Sequence, residues 1–142
     1  MSNWSGMLDA VRGTGILPSF FPADLAIPMV APEDLGEAAA LRLLAPASDA
    51  GVRHVEGPER YTPLDVAGAF SDALGMMVEV QTIPRAAWEE TFAQFGFSEA
   101  AARCYACMTA AVVDGLTERP ADFERGTMTL HDYIRRSVQG FA

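Results

Sequence analysis

The sequence predicts an α/β chain, rich in helix and with a few short strands. Three observations carry that expectation. Apolar residues recur at helical spacing in six stretches, three short runs alternate with period two, and proline or glycine stands at nearly every change between them. At 142 residues, half of them hydrophobic and a fifth charged, the chain has the length and composition of one domain with its own core, spanning 1–142.

The elements follow in order. Residues 2–13 read as a helix, with Trp4, Met7, Leu8 and Val11 at helical spacing and Thr14-Gly15 as its stop. The stretch 16–28 holds Pro18, Pro22 and Pro28 among apolar residues and is expected as an ordered loop packed on the body. Residues 27–30 make a short strand. Pro32, Glu33 and Asp34 then open a helix that runs to about residue 45, where Pro46 ends it. Residues 52–56 alternate like a strand, and Gly57-Pro58-Glu59 turns it. Thr62-Pro63-Leu64-Asp65 has the pattern of a capped helix start, with Gly75 as the stop. Residues 78–83 form the third strand. Pro84 opens a helix to about residue 95, Ser98 caps a long one to about 116, and Thr129-x-x-Asp132 starts the last.

Charge and residue usage exclude several functions. The net charge is −9, so a nucleic-acid backbone would be repelled. All ten basic residues are arginine; with no lysine, a P-loop, a Schiff-base enzyme and a dehydrogenase built on a Tyr-x-x-x-Lys pair are all excluded. No apolar run approaches the ~18 residues of a membrane span. The opening residues lack the basic and apolar regions of a secretory leader, and a cytoplasmic location is expected.

Several motifs then fall in an order that resembles the carboxyl-terminal half of the NmrA-like atypical short-chain dehydrogenases/reductases. They are Asn3-Trp4; Ile27-Pro28-Met29-Val30-Ala31-Pro32-Glu33-Asp34-Leu35-Gly36; Val55-Glu56-Gly57-Pro58-Glu59-Arg60-Tyr61-Thr62; Leu74-Gly75 before a Val-rich strand; Ile83-Pro84-Arg85 with Trp88; Gly96-Phe97-Ser98; and Gly126-Thr127-Met128-Thr129-Leu130. The resemblance implies the substrate-side part of a Rossmann-related, NAD(P)-dependent oxidoreductase. In that family a strand, a Gly-rich turn and a helix hold the cofactor pyrophosphate. No G-x-G-x-x-G or G-x-x-G-x-x-G occurs in these 142 residues. NAD(P) is therefore implied only by the resemblance, and the chain alone is expected neither to bind it nor to catalyse. A separately encoded nucleotide-binding chain is one implied partner. The alternative is a non-enzymatic, self-associating structural module.

Among candidate site residues, Phe21, Trp88 and Phe92 are expected to line a substrate pocket, set against core packing of the group Trp88, Phe92, Phe95 and Phe97. Cys104-x-x-Cys107 lies within a helix rather than at its start, and His54 and His131 lack ligand spacing to it. The pair reads as small packed side chains, not a redox or metal site. Tyr61 and Tyr133 read as packing residues. Glu33-Asp34, Glu89-Glu90 and Asp122/Glu124 read as helix-start or loop acids. No catalytic or metal-binding residue is assigned. A homodimer is expected, joined through the helix near Trp4 and the strand 52–56.

Overall fold

Helix starts in this chain are written into single residues, and the computed structural model places them where those residues fall. The structure describes residues 1–46, 48, 50–117 and 120–140. The helices are α1 (Ser2–Ser5), α2 (Leu8–Thr14), α3 (Pro32–Leu44), α4 (Pro63–Leu74), α5 (Trp88–Gln94), α6 (Glu99–Val113) and α7 (Leu130–Gln139), with a 3-10 turn at Arg85–Ala87. The strands are β1 (Ile16–Ser19), β2 (Ile27–Pro28), β3 (Val55–Glu56), β4 (Arg60–Tyr61), β5 (Glu79–Thr82) and β6 (Glu124–Arg125). The architecture is α/β and helix-rich.

Thr62 and Asp65 form a full capping box: the Thr62 hydroxyl accepts from the Asp65 amide at 3.1 Å, and the Asp65 carboxylate accepts from the Thr62 amide at 2.8 Å. The Ser98 hydroxyl caps α6 by accepting from the Ala101 amide at 3.3 Å, and the Thr129 hydroxyl caps α7 by accepting from the Asp132 amide at 3.1 Å. The expected 2–13 helix is broken at Gly6-Met7 into α1 and α2. Glycine weakens a helix interior by roughly 1 kcal/mol relative to alanine. Trp4 and Val11 are nevertheless buried as their spacing requires.

The strands pair two by two. β1 runs parallel to β5, β2 antiparallel to β4, and β3 parallel to β6. The 16–28 stretch is thus not all loop, because its first four residues are β1. The Glu79 amide donates to Gly15 and the Ile83 amide to Ser19, so Leu17 and Ser19 face β5 while Ile16 and Pro18 face the open edge. On that edge the Ile16 amide donates to the Thr14 hydroxyl at 3.1 Å, and Pro18 has no amide proton. The edge therefore offers no free donor within β1 for a further strand. The expected 52–56 strand shrinks to Val55–Glu56, and Val52 stands in solvent.

One core joins these pieces. Val11 of α2, Leu17 of β1, Val66 and Phe70 of α4, and Leu130 and Ile134 of α7 are fully buried at its centre. α4 packs against α7 on one side and β5 on the other. A second, smaller cluster holds α5 to α6 through Trp88, Phe92 and Ala102. Two close approaches account for glycines in the motifs. A Cβ on Gly57 would lie inside van der Waals contact of the Met29 carbonyl, and one on Gly126 would collide with the Asp34 carboxylate. Asp34 instead accepts from the amides of Thr127 (3.1 Å) and Met128 (3.0 Å), tying the start of α3 to the segment before α7.

Candidate functional site

Two regions hold the residues with chemical potential. The first is the aromatic cluster between α5 and α6. Trp88 is buried and donates its indole N–H to the Ile83 carbonyl at 2.9 Å. Phe20, just after β1, stacks on Phe92 with centroids 4.2 Å apart and planes nearly parallel. Phe97 meets Phe92 and Tyr105 edge-on at 5.8 and 4.7 Å. The Arg85 guanidinium lies 5.5 Å over the Trp88 ring and forms a two-pronged pair with Asp114 at 2.9 and 3.0 Å. That pairing holds the Asp114 carboxyl below the ordinary carboxylate range.

Of the three expected pocket residues, the structure brings together Trp88 and Phe92. Phe21 packs against the main core instead, and Phe20 takes the place beside Phe92. Both phenylalanines lie in the bend after β1, where the Ser19 hydroxyl accepts from the Phe21 amide at 3.0 Å. Which of the two faced the cluster depended on that bend, which the sequence did not mark.

The second region is a polar hollow of about 580 Å³ between 52–54 and 120–124. Its walls include Arg53, His54, Asp122, Phe123 and Glu124. The Arg53–Glu124 ion pair, 2.8 Å long and about half exposed, separates it from a neighbouring hollow of about 210 Å³ against α3, lined by Leu35, Ala38, Ala39, Arg42, Gly51, Val55 and the same pair. The β3–β6 pairing brings the two segments together: the Glu124 amide donates to the His54 carbonyl at 2.8 Å. Arg125 stacks on Phe123 at 4.8 Å and donates to the Pro58 carbonyl at 2.7 Å. The hollow offers an imidazole, a guanidinium and carboxylates, a set suited to holding a polar ligand. Its described walls carry no hydroxyl or thiol nucleophile. His54 was expected within a strand; it lies just ahead of β3, exposed. Glu124 was expected in a loop and sits in β6.

The remaining candidates fall as follows. Cys104 and Cys107 are free and both exposed on α6, so they are not the packed small side chains that the alanine-rich sequence suggested. On an amphipathic helix the apolar stripe faces one way only, and these two positions lie off it; Ala102 and Thr109 are the buried ones. Among the described residues, no group of three or more His, Cys, Asp or Glu is arranged to hold a metal ion. His131 is exposed, 3.5 Å from Asp72. Tyr61 and Tyr133 are buried in the main core, and the Tyr61 hydroxyl accepts from the Leu130 amide at 3.4 Å. Burial raises the Tyr61 pKa above the ordinary phenol value. Glu33 with Asp34, and Glu89 with Glu90, occupy first turns of α3 and α5. Among the described residues no helix is long and apolar enough to cross a membrane.

The sequence matches no protein-family model and no curated protein. The fold does have solved counterparts. One is a structure of Citrobacter sp. triphenylmethane reductase, reported for the bioremediation of triphenylmethane dyes: TM-score 0.73, 16% identity, covering 95% of this chain and 48% of the reductase. Another is the same reductase complexed with NADP(H): TM-score 0.71, 17% identity, covering 94% of this chain and 47% of that one. The likeness is one of fold, and the chain spans about half the length of the reductase it matches.

Proposed function

We propose that this chain is the substrate-side unit of an NAD(P)-linked oxidoreductase of the NmrA-like type, shaping the ligand end of a site whose cofactor is held by a nucleotide-binding unit carried elsewhere. The observation that carries this reading is the coverage: nearly all of the chain overlays just under half of a reductase that was solved with NADP(H). The motif order in the sequence points the same way.

The described residues do not fit a dinucleotide. A pyrophosphate needs a helix amino terminus open behind a glycine turn. Here the first turns of α4 and α7 are taken by the chain's own Asp65 and Asp132, that of α6 by Ser98, and α3 opens on Glu33 and Asp34, which repel phosphate. No step through the cofactor is therefore assigned to these residues. Their part is to receive the substrate. Trp88 and Phe92 are buried in the core between α5 and α6, with Phe20 packed on them, and so hold that helix pair rigid. The hollow at Arg53 and His54 is the surface left to take a polar ligand.

The test is reconstitution. Coexpression with a separately encoded nucleotide-binding unit of the NmrA-like type is expected to give NADPH binding accompanied by a change in tryptophan fluorescence. A nucleotide-binding unit that takes up NADPH with no response from this chain would overturn the reading.

A second reading, a self-associating structural module, is favoured by one observation. α3 contains no buried residue, although most of its side chains are apolar.

A further inference from the structure

Cysteine is among the residue types most often buried, and methionine is ordinarily a filler of apolar gaps. Both cysteines of this chain nevertheless stand exposed on α6, and Met108 beside them is 56% exposed. With about 100° of turn per residue, Cys104, Cys107 and Met108 fall within about 100° of arc on that helix. The stripe that packs on α5, formed by Ala102, Ala106 and Val113, runs along the opposite side. Two thiols and a thioether therefore share one solvent-facing strip, at i, i+3 and i+4.

That spacing suits a single ion. Side chains three and four apart on a helix are rooted about 5–6 Å from one another. Metal–thiolate bonds are about 2.3 Å long, so two sulfurs on one ion stand about 4 Å apart, a gap that such side chains close by leaning together. Met108, one turn beyond Cys104, is directed back toward it, because long helical side chains lean toward the amino terminus. The ligand set decides the ion. Thiolate and thioether are soft donors that select Cu(I), whereas structural zinc asks for four ligands. Among the described residues no imidazole or carboxylate joins the two thiols to complete a zinc site. The Arg85 guanidinium lies within electrostatic reach of Cys107, but Asp114 holds it in the two-pronged pair, so its charge does not stand unmatched against a cation.

We infer that Cys104, Cys107 and Met108 form a binding site for one soft monovalent cation, Cu(I), on the outer face of α6. The cysteines bind as thiolates, their protons passing to solvent, and Met108 supplies the third sulfur. The exposure of the pair thus turns a motif that reads as packing in the sequence into a ligand set. This goes beyond the oxidoreductase reading and does not depend on it.

The reduced full chain, titrated without oxygen against Cu(I) held by bicinchoninate, tests the proposal, since the colour of that complex fades as the protein withdraws copper. One copper per chain is expected. Cys104→Ser and Cys107→Ser are each expected to abolish the withdrawal. Met108→Leu is expected to weaken it by at least the roughly tenfold that losing a supporting partner costs a metal site. Met77→Leu, at another exposed thioether, leaves it unchanged. All four side chains already stand in water, so each variant is expected to keep the wild-type circular dichroism. A wild-type chain that withdraws no copper, or one copper shared by two chains, overturns the proposal. So does full binding by either cysteine variant or by Met108→Leu, or a loss in Met77→Leu equal to that in Met108→Leu.

Discussion

At the scale of single residues, the strongest determinants are places where backbone and side chain meet across long sequence distances. Asp34 receives two amides from 127–128, 93 and 94 residues away, and only a glycine at 126 leaves room for its carboxylate. Asp34→Ala is expected to lower stability by about 1 kcal/mol in urea unfolding, since it strands the partly buried Met128 amide and frees the exposed Thr127 amide. Gly57→Ala is expected to destabilise as well, because the backbone it strikes cannot swing aside as a side chain does. The quoted motifs contained both glycines, yet their partners were not legible: no local pattern says that Gly57 faces Met29 or that Gly126 faces Asp34. The thiols were misread for a related reason. Composition said that α6 is apolar enough to pack, but only the direction of its buried stripe says which residues do. With both thiols exposed, Cys104→Ser and Cys107→Ser should leave the melting temperature unchanged, and the folded wild-type protein should react rapidly at both thiols with Ellman's reagent.

At the scale of elements, capping chemistry was readable and short strands were not. Thr62-Pro63-Leu64-Asp65 and Thr129-x-x-Asp132 name their own partners within four residues, and both form as written. β1 carries Pro18, which argues against a strand unless that residue faces an open edge, and an edge is a property of the whole sheet. β4 and β6, two residues each, have no period to detect. The α7 cap also sets a pH dependence. The hydrogen bond from the Thr129 hydroxyl, aided by Arg135 and Arg136, holds the Asp132 pKa below its ordinary 3.8. A depressed pKa stabilises the fold above the unfolded value, and that stabilisation disappears as pH falls through the folded one. Wild type is therefore expected to lose more melting temperature than Asp132→Asn between pH 5 and about pH 2. Thr129→Ala, removing the cap, should cost about 1 kcal/mol at neutral pH. In the α5–α6 pair, Phe92→Ala deletes the stacked ring and should cost about 3–5 kcal/mol.

At the scale of the whole molecule, the account is of an α/β unit whose own core closes around α2, α4, α7 and the β1–β5 pair. It leaves α3 without a buried residue, and the starts of α4, α6 and α7 are occupied by the chain's own carboxylates and hydroxyls. The bareness of α3 was not legible, because an apolar helix in sequence reads as a buried one. The central claim, that this unit faces the substrate and takes its nucleotide from elsewhere, is tested most directly by calorimetric titration of the isolated chain with NADPH and NADH. No saturable heat is expected up to millimolar nucleotide. One-to-one binding in the micromolar range would contradict it.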